Sequence, residues 1–182
     1  MIEVADKKRC AGCTACAEIC PKNCIQMKPD REGFLYPSVE ESQCIKCNTC
    51  DMVCPIQNPV VEKAVPQKAY LAQHKNENVR LDSSAGGAFT AIATVVLKKG
   101  GVVFGAAYDE NFRVRHSYVE TVDYLKKFQN SKYVQSELGD SFRLVKDFLQ
   151  KERWVCFSGT PCQIEGLSKF CKNHMRNWFW LM

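Results

Sequence analysis

Apolar and polar positions follow two different patterns along the 182-residue chain. Before Cys54, cysteines interrupt the apolar positions, and the stretch IQMKPDREGFLYPSVEESQ alternates on either side of turn residues at Pro29-Asp30 and Gly33. This stretch predicts a β-hairpin. From Ala69 onward, apolar runs with helix and strand periods follow one another. The pattern therefore predicts two regions that fold in different ways.

The second region is predicted to alternate strands and helices. Strands are predicted at 69–74, on either side of a turn at 109–111, and at 154–160. Helices are predicted from an N-cap at Ser83 or Ser84 to a C-cap at Gly100, in a short segment after Thr121, over 139–151, and from Pro161 through PCQIEGLSKF. This alternation is typical of an α/β layered domain.

Nine of the twelve cysteines lie between positions 10 and 54. They form two runs, CAGCTACAEICP and CIKCNTCDMVCP, which match at every cysteine and at the final proline with a period of 34 residues. The match indicates an internal duplication. In bacterial two-cluster ferredoxins, three cysteines of such a run hold one cubane and the fourth holds the other. The spacing predicts two [4Fe-4S] clusters, one on Cys10, Cys13, Cys16 and Cys54 and the other on Cys44, Cys47, Cys50 and Cys20.

Zinc is the alternative metal, since paired C-x2-C units also make zinc sites. Two runs of four cysteines that each end in Cys-Pro favour iron–sulfur clusters instead. Cys24 remains outside both sets of four. It is interpreted as a small buried hydrophobe, and a redox thiol or an alternative ligand is the competing interpretation.

These features predict an α+β chain with four parts. They are a two-[4Fe-4S] bacterial ferredoxin-like domain over 1–58, an extended linker over 59–68, an incomplete α/β layered domain over 69–171, and an atypical tail over 172–182.

Charge and hydropathy indicate which partners and which compartment to expect for the protein. The net charge is +5, but the basic residues are scattered, so no nucleic-acid partner is expected. The N-terminus lacks an apolar export segment and no apolar run approaches about 18 residues, so a cytoplasmic protein without a membrane span is expected. His74, His116 and His174 are isolated in sequence and are interpreted as structural or surface residues.

Two loops of the second region have the composition of sites for an anionic or planar cofactor. At SSAGG, two hydroxyls and two glycines precede the N–H groups of a helix, and at SGTPCQ a buried strand ends before a helix begins. Ordinary capping turns are the alternative for both loops.

The order of the double cysteine run, SSAGGAFTAI, GGVVFGAAYD, SKYVQSELGD and FSGTPCQIEGL resembles the beta-subunit family of coenzyme F-420 hydrogenases and dehydrogenases. The resemblance runs from about Cys10 to Phe170. It implies an iron–sulfur flavoprotein that holds FAD and works with a redox protein partner or in a larger oxidoreductase complex. By the same resemblance, the candidate flavin-binding residues are Ser83, Ser84, Gly86, Gly87, Ser158, Gly159, Thr160, Pro161 and Cys162, with Lys132 and Tyr133 as weaker candidates.

Members of that family continue beyond the SGTPCQ helix, whereas this chain ends at CKNHMRNWFWLM. We therefore expect a truncated or frameshifted product that lacks part of the flavin site. The leading hypothesis is a subunit that transfers electrons between a ferredoxin-like donor and a flavin, a deazaflavin or another organic acceptor. The alternatives are a non-catalytic electron carrier or docking module, and a nonfunctional fragment.

Overall fold

The protein is represented by a computed structural model that describes residues 1–4, 6–59, 68–172 and 177–181. The chain divides into two units. The first is Met1–Val61 with Thr160–Asn173, and the second is Glu62–Gly159 with His174–Met182. Most of the predicted linker, residues 60–67, lies outside the described residues, as does His174.

The duplication in the sequence extends to the backbone of the first unit. A 3-10 helix at Lys7–Arg9 has its counterpart 34 residues later at Glu41–Gln43, and helix α1 (Ala15–Glu18) has its counterpart in α2 (Thr49–Val53). Each 3-10 helix precedes the first cysteine of a run, and each α-helix contains the third cysteine. The two runs therefore adopt similar local structures.

The predicted hairpin is confirmed. Strands β1 (Ile25–Pro29) and β2 (Leu35–Val39) pair antiparallel. The Asp30 carboxylate accepts hydrogen bonds from the N–H groups of Glu32 at 2.9 Å and Phe34 at 3.2 Å, which closes the turn. The hairpin joins the cysteine runs in one core, whose buried members are Ile2, Cys16, Cys20, Cys24, Ile25 and Cys50.

Helix α6 (Pro161–Phe170) belongs to the first unit although it is distant in sequence. It packs against both α1 and α2. Its start is confirmed: Pro161 occupies the first turn, and Thr160 and Gln163 form a capping box in which the Thr160 N–H donates to Gln163 Oε1 at 2.9 Å. The sequence groups this helix with the second domain, whereas the structure groups it with the first unit.

The second unit is built on a four-stranded sheet in the order β4-β3-β5-β6. The strands are β3 (Val102–Tyr108), β4 (Val114–Val119), β5 (Val155–Ser158) and β6 (Trp178–Leu181). Strand β3 pairs antiparallel with β4 and parallel with β5, and β5 pairs parallel with β6. The first three strands lie where the sequence predicts them. Strand β6 falls in the tail, where WFWL has no alternation that would predict a strand.

Helices pack on both faces of this sheet because alternate residues of a strand point to opposite sides. Val103 on β3 lies in a core with α4 (Ala88–Lys98) and with the 3-10 helix Val122–Phe128. Its neighbour Phe104 contacts Phe148 of α5 (Ser141–Gln150), with ring centroids 6.1 Å apart. Strand β3 is therefore buried on both faces, which matches its continuous apolar run.

The segment 69–74 is not a strand, so this prediction is wrong. It runs instead against the SSAGG loop, where the His74 N–H donates to the Gly86 carbonyl at 2.6 Å. The segment thus makes this backbone hydrogen bond with a loop and not with a neighbouring strand. A short helix that the sequence does not predict, α3 (Glu77–Leu81), follows this segment.

Helix α4 begins later than its predicted N-cap at Ser83 or Ser84. Its N-cap is Gly87, which has a φ of +78°. The Ser83 hydroxyl donates instead to the carbonyl of Val79 at 2.6 Å, so this serine stabilises the end of α3. Within the described residues, no helix combines the length and the apolar character needed to cross a membrane.

Candidate iron–sulfur sites

The structure brings the cysteines of the two runs together in two crossed groups. Cys10, Cys13, Cys16 and Cys54 line a cavity of about 390 Å³, and their thiolate charges act on one another. A second, smaller cavity is lined by Cys20, Cys44, Cys47 and Cys50. In each group, three cysteines come from one run and the fourth comes from the other. We call these the first group and the second group.

The loops between the cysteines repeat an unusual backbone conformation. Gly12 and Thr14 have φ values of +62° and +59°, and their counterparts 34 residues later, Lys46 and Asn48, have +55° and +56°. Alternating left-handed residues turn successive N–H groups toward one side and form a concavity that binds anions, as at many iron–sulfur sites. Such conformations are strained for residues other than glycine and tend to occur at functional sites.

Hydrogen-bond donors reach the sulfurs of the second group. The N–H groups of Lys46 and Ile2 donate to Cys44 Sγ at 3.4 Å and Cys50 Sγ at 3.2 Å. The Thr49 hydroxyl donates to Cys47 Sγ at 3.3 Å. Donors to sulfur stabilise the thiolate form, which is the form that binds metal.

The thiols of the two groups differ in their acidity. Burial raises the pKa of Cys13 and of Cys16 to about 12, although N–H groups of Ala15 and Ala17 act in the opposite direction. Cys47 is exposed, and the Thr49 hydroxyl holds its pKa below the ordinary value. Cluster binding must therefore remove more tightly held protons from the first group than from Cys47.

Cys24 lies beside the second group. Its Sγ is 3.4 Å from Cys20 Sγ, its side chain is 4% exposed, and it lines the same cavity. Its burial agrees with the predicted small hydrophobe, and its contact with Cys20 agrees with the competing interpretation as an alternative ligand.

The spacing of the thiols bears on the choice between zinc and a cluster. Among the described residues, no three His, Cys, Asp or Glu side chains come together closely enough to hold a single metal ion. Zinc requires its thiolates at about 2.3 Å from one ion. A cubane places each thiolate on a different iron atom, so a cluster does not require its cysteines to meet at one ion.

The glycines of the SSAGG loop are required by packing within the second unit. A Cβ at Gly86 would lie 2.3 Å from the Ala72 carbonyl oxygen, and one at Gly87 would lie 3.1 Å from His74 Cβ. The chain's own segment 72–74 therefore occupies the space that these glycines leave open. The loop does not offer that space as a cradle for a flavin.

Other candidate flavin-binding residues make contacts of their own. The Ser84 hydroxyl donates to Asn130 Oδ1 at 2.9 Å. The Lys132 ammonium donates to three backbone carbonyls, those of residues 127, 129 and 130, at 3.1, 2.7 and 3.0 Å. Tyr133 is 94% exposed. Lys132 thus stabilises the loop that carries it.

The SGTPCQ motif is divided between the two units. Ser158 and Gly159 belong to the second unit, where the Ser158 carbonyl lies 3.0 Å from His116 Nε2 and the Gly159 N–H donates to Leu181 at 3.0 Å. His116 is buried, and its Nδ1 lies 2.8 Å from the Ser136 hydroxyl, which makes it a structural histidine with both ring nitrogens bonded. The remaining candidates of this motif, Thr160, Pro161 and Cys162, belong to the first unit.

The fold and the two cysteine groups define an iron–sulfur protein of ferredoxin type, and comparison with known proteins agrees. The family of 4Fe-4S dicluster domains matches residues 9–58. The Ferredoxin 7Fe of Hydrogenibacillus schlegelii is 33% identical over 64 residues, which cover 34% of this chain and 76% of that protein. Through this N-terminal region the chain belongs to the 4Fe-4S ferredoxin family.

Two longer proteins are similar over most of the chain. A subunit of the F(420)H(2) dehydrogenase of Methanosarcina mazei is 23% identical over 172 residues, covering 88% of this chain and 48% of that protein. The coenzyme F420-dependent sulfite reductase of Methanocaldococcus jannaschii is 27% identical over 172 residues, covering 92% of this chain and 26% of that protein. The chain thus spans about half the length of one relative and about a quarter of the other.

Proposed function

We propose that this chain is the iron–sulfur part of an oxidoreductase subunit. It transfers electrons between a ferredoxin-like donor and a flavin, a deazaflavin or another organic acceptor. Its membership of the ferredoxin family supports electron transfer, and its similarity to the two F420-related proteins supports the kind of acceptor. The observation that carries the proposal is the pair of crossed cysteine groups on loops with the same left-handed residues.

Eight thiolates are the proposed ligands of two [4Fe-4S] clusters. Each cluster, when bound, supplies a one-electron redox step. The loops present N–H groups toward the sulfurs, and the Thr49 hydroxyl adds a further donor at Cys47. Such donors spread the negative charge of the bound thiolates. The proposed ligands are Cys10, Cys13, Cys16 and Cys54 for the first cluster and Cys44, Cys47, Cys50 and Cys20 for the second.

Anaerobic reconstitution with ferrous iron and sulfide tests this proposal. We expect about eight iron and eight sulfide per chain, because each cubane contains four of each. Incorporation of about four iron and four sulfide per chain would support only one of the two proposed clusters. A preparation that binds zinc but assembles no cluster would overturn the proposal.

A flavin-containing subunit is the second candidate, favoured by similarity to the F420-related proteins across the second unit. The SSAGG glycines provide no open cradle, and Ser158 and Gly159 use their backbone groups within the sheet. We therefore assign no reaction step to a flavin. Adding FAD to the reconstituted protein, followed by gel filtration and acid release, separates the candidates. Stoichiometric FAD would support the flavoprotein, and clusters without FAD would support a carrier or docking module.

A further inference from the structure

The loop between the cysteines of the second group is exposed, whereas the matching loop of the first group is largely covered. All four residues of the second loop are exposed, namely Ile45, Lys46, Cys47 and Asn48. In the first loop, Ala11 is exposed, but residues 12–14 are buried or half-buried. Helix α6 packs on α1 and α2 within the first unit, and its Cys162 thiol lies 3.9 Å from the Ala11 carbonyl oxygen. The repeat therefore brings only one of its two loops fully to the surface.

The exposed loop and the residues beside it form a small surface that we call the Cys47 face. It consists of Pro21, Lys22, Ile45, Lys46, Cys47 and Asn48, which are all exposed. All of them except Lys46 also line the cavity of the second group. Ile45 exposes 57% of its surface. The Cys47 face thus combines apolar side chains with charged ones, as protein docking sites do.

The charged residues of the Cys47 face are both basic. Among the described residues, neither Lys22 nor Lys46 takes part in an ion pair. Carboxylates nearby in the chain have partners of their own. Asp51 binds the terminal ammonium at 2.8 Å, and Glu40 accepts a hydrogen bond from the Ser42 hydroxyl at 2.7 Å. The two lysines are therefore available to carboxylates of another molecule.

We propose that the Cys47 face is the docking site for a redox protein that presents carboxylates around its own redox centre. The inference rests on the proposed function, because it requires the second group to hold a cluster. One electron crosses the face in each encounter, so that one protein is oxidised and the other is reduced by one electron, and no bond changes. A small face suits this class of partner, because electron-transfer encounters bury less surface than stable complexes do.

Oxidation of the reduced, cluster-loaded protein by two probes of opposite charge tests the inference. The probes are oxidised plastocyanin, an acidic blue-copper protein, and oxidised cytochrome c, a basic haem protein. Stopped-flow absorbance gives each rate constant at ionic strengths of about 10 and 300 mM. The wild-type rate constant with plastocyanin should fall as salt screens the attraction. At the lower ionic strength, K22E/K46E should react roughly tenfold more slowly with plastocyanin and faster with cytochrome c.

A matched control carries the same change of charge elsewhere. K75E/K98E replaces two exposed lysines of the second unit, and it lowers the formal net charge from +5 to +1, as K22E/K46E does. It should change each rate constant by less than about twofold. Lys46 has a φ of +55°, so K22E alone is the second variant if K46E folds poorly. It should slow the reaction with plastocyanin by about threefold.

The two probes separate docking from a change of cluster potential. A shifted potential would move both rate constants in the same direction, whereas docking by charge moves them in opposite directions. Rate constants that move together, or equal effects of K22E/K46E and K75E/K98E, would overturn the inference. Iron content distinguishes this failure from that of the proposed function. A wild type that assembles no second cluster would contradict the proposed function, whereas full iron with rates that ignore both lysines would contradict only the docking site.

Discussion

The two cysteine groups arise from one repeated sequence, yet the protein surrounds them differently. Cys16 and Cys50 occupy the same position in the repeat and are both buried. Their neighbours one turn earlier differ: Cys13 is half-buried with a pKa near 12, whereas Cys47 is exposed with a lowered pKa. A duplicated ligand motif thus specifies the local backbone, and the packing around it sets the chemistry of each site.

The reactivity of the free thiols should show this difference most strongly. In the cluster-free protein, a pKa of about 12 leaves about one Cys13 in 10⁴ as thiolate at pH 8, whereas the lowered pKa of Cys47 leaves a much larger fraction of that thiol ionised. Because a thiolate of higher pKa is intrinsically more nucleophilic, we expect a net difference in alkylation rate of roughly thirty-fold or more. Peptide mapping after timed iodoacetamide treatment measures it.

The pH dependence of alkylation provides the control. The rate at Cys47 should level off at a lower pH than the rate at Cys13, which should keep rising to about pH 12. Equal rates, or curves that level off together, would show that the two sites are equivalent.

The second largest effect should be a difference between the reduction potentials of the two clusters. Reduction adds a negative charge, and burial disfavours charge, so the first cluster should have the more negative potential. We expect a separation of at least about 60 mV, which is a tenfold change for a one-electron couple. EPR-monitored titration of C16A, which retains the second cluster, and of C50A, which retains the first, assigns each potential. A first cluster with the higher potential would contradict the comparison.

The hydroxyl of Thr49 should make the smallest contribution to the difference between the two clusters. Its repeat counterpart is Ala15, so the first group lacks this donor to sulfur. Replacement of Thr49 by alanine should lower the potential of the second cluster by about 20–40 mV, from the loss of one hydrogen bond. Thr14→Ala is the matched control, because the Thr14 hydroxyl contacts Glu18 at 3.5 Å and not a cysteine. Shifts of the same size in both variants would remove the hydroxyl as the cause.

The sequence predicts the local features of this protein well because local features depend on neighbouring residues. The hairpin at Asp30 and the capped start of α6 both follow from residues within a few positions of one another. The prediction of a strand at 69–74 is wrong because this segment bonds to a loop. No local sequence pattern reveals that contact. Similarly, serine is a residue type that favours N-cap positions, but the Ser83 hydroxyl donates to the carbonyl of Val79, earlier in the chain.

Features formed between residues that are distant in the chain cannot be predicted from local patterns in a single sequence. The placement of α6 in the first unit brings Cys162 to Ala11 across 151 positions, and nothing in the spacing of Cys162 signals it. Strand β6 is similar, since it depends on pairing with β5 and not on an alternation of its own. The need for glycine at position 86 becomes clear only once Ala72 is seen against it.

The central claim is that Cys54 crosses from the second run to the cluster of the first. Iron content of two double variants tests it most directly, because two ligands of one cluster remove only that cluster. We predict that C16A/C54A retains about four iron per chain and that C50A/C54A retains almost none. If C50A/C54A instead retained about four iron and C16A/C54A almost none, Cys54 would belong to the cluster of its own run and the crossed assignment would be wrong.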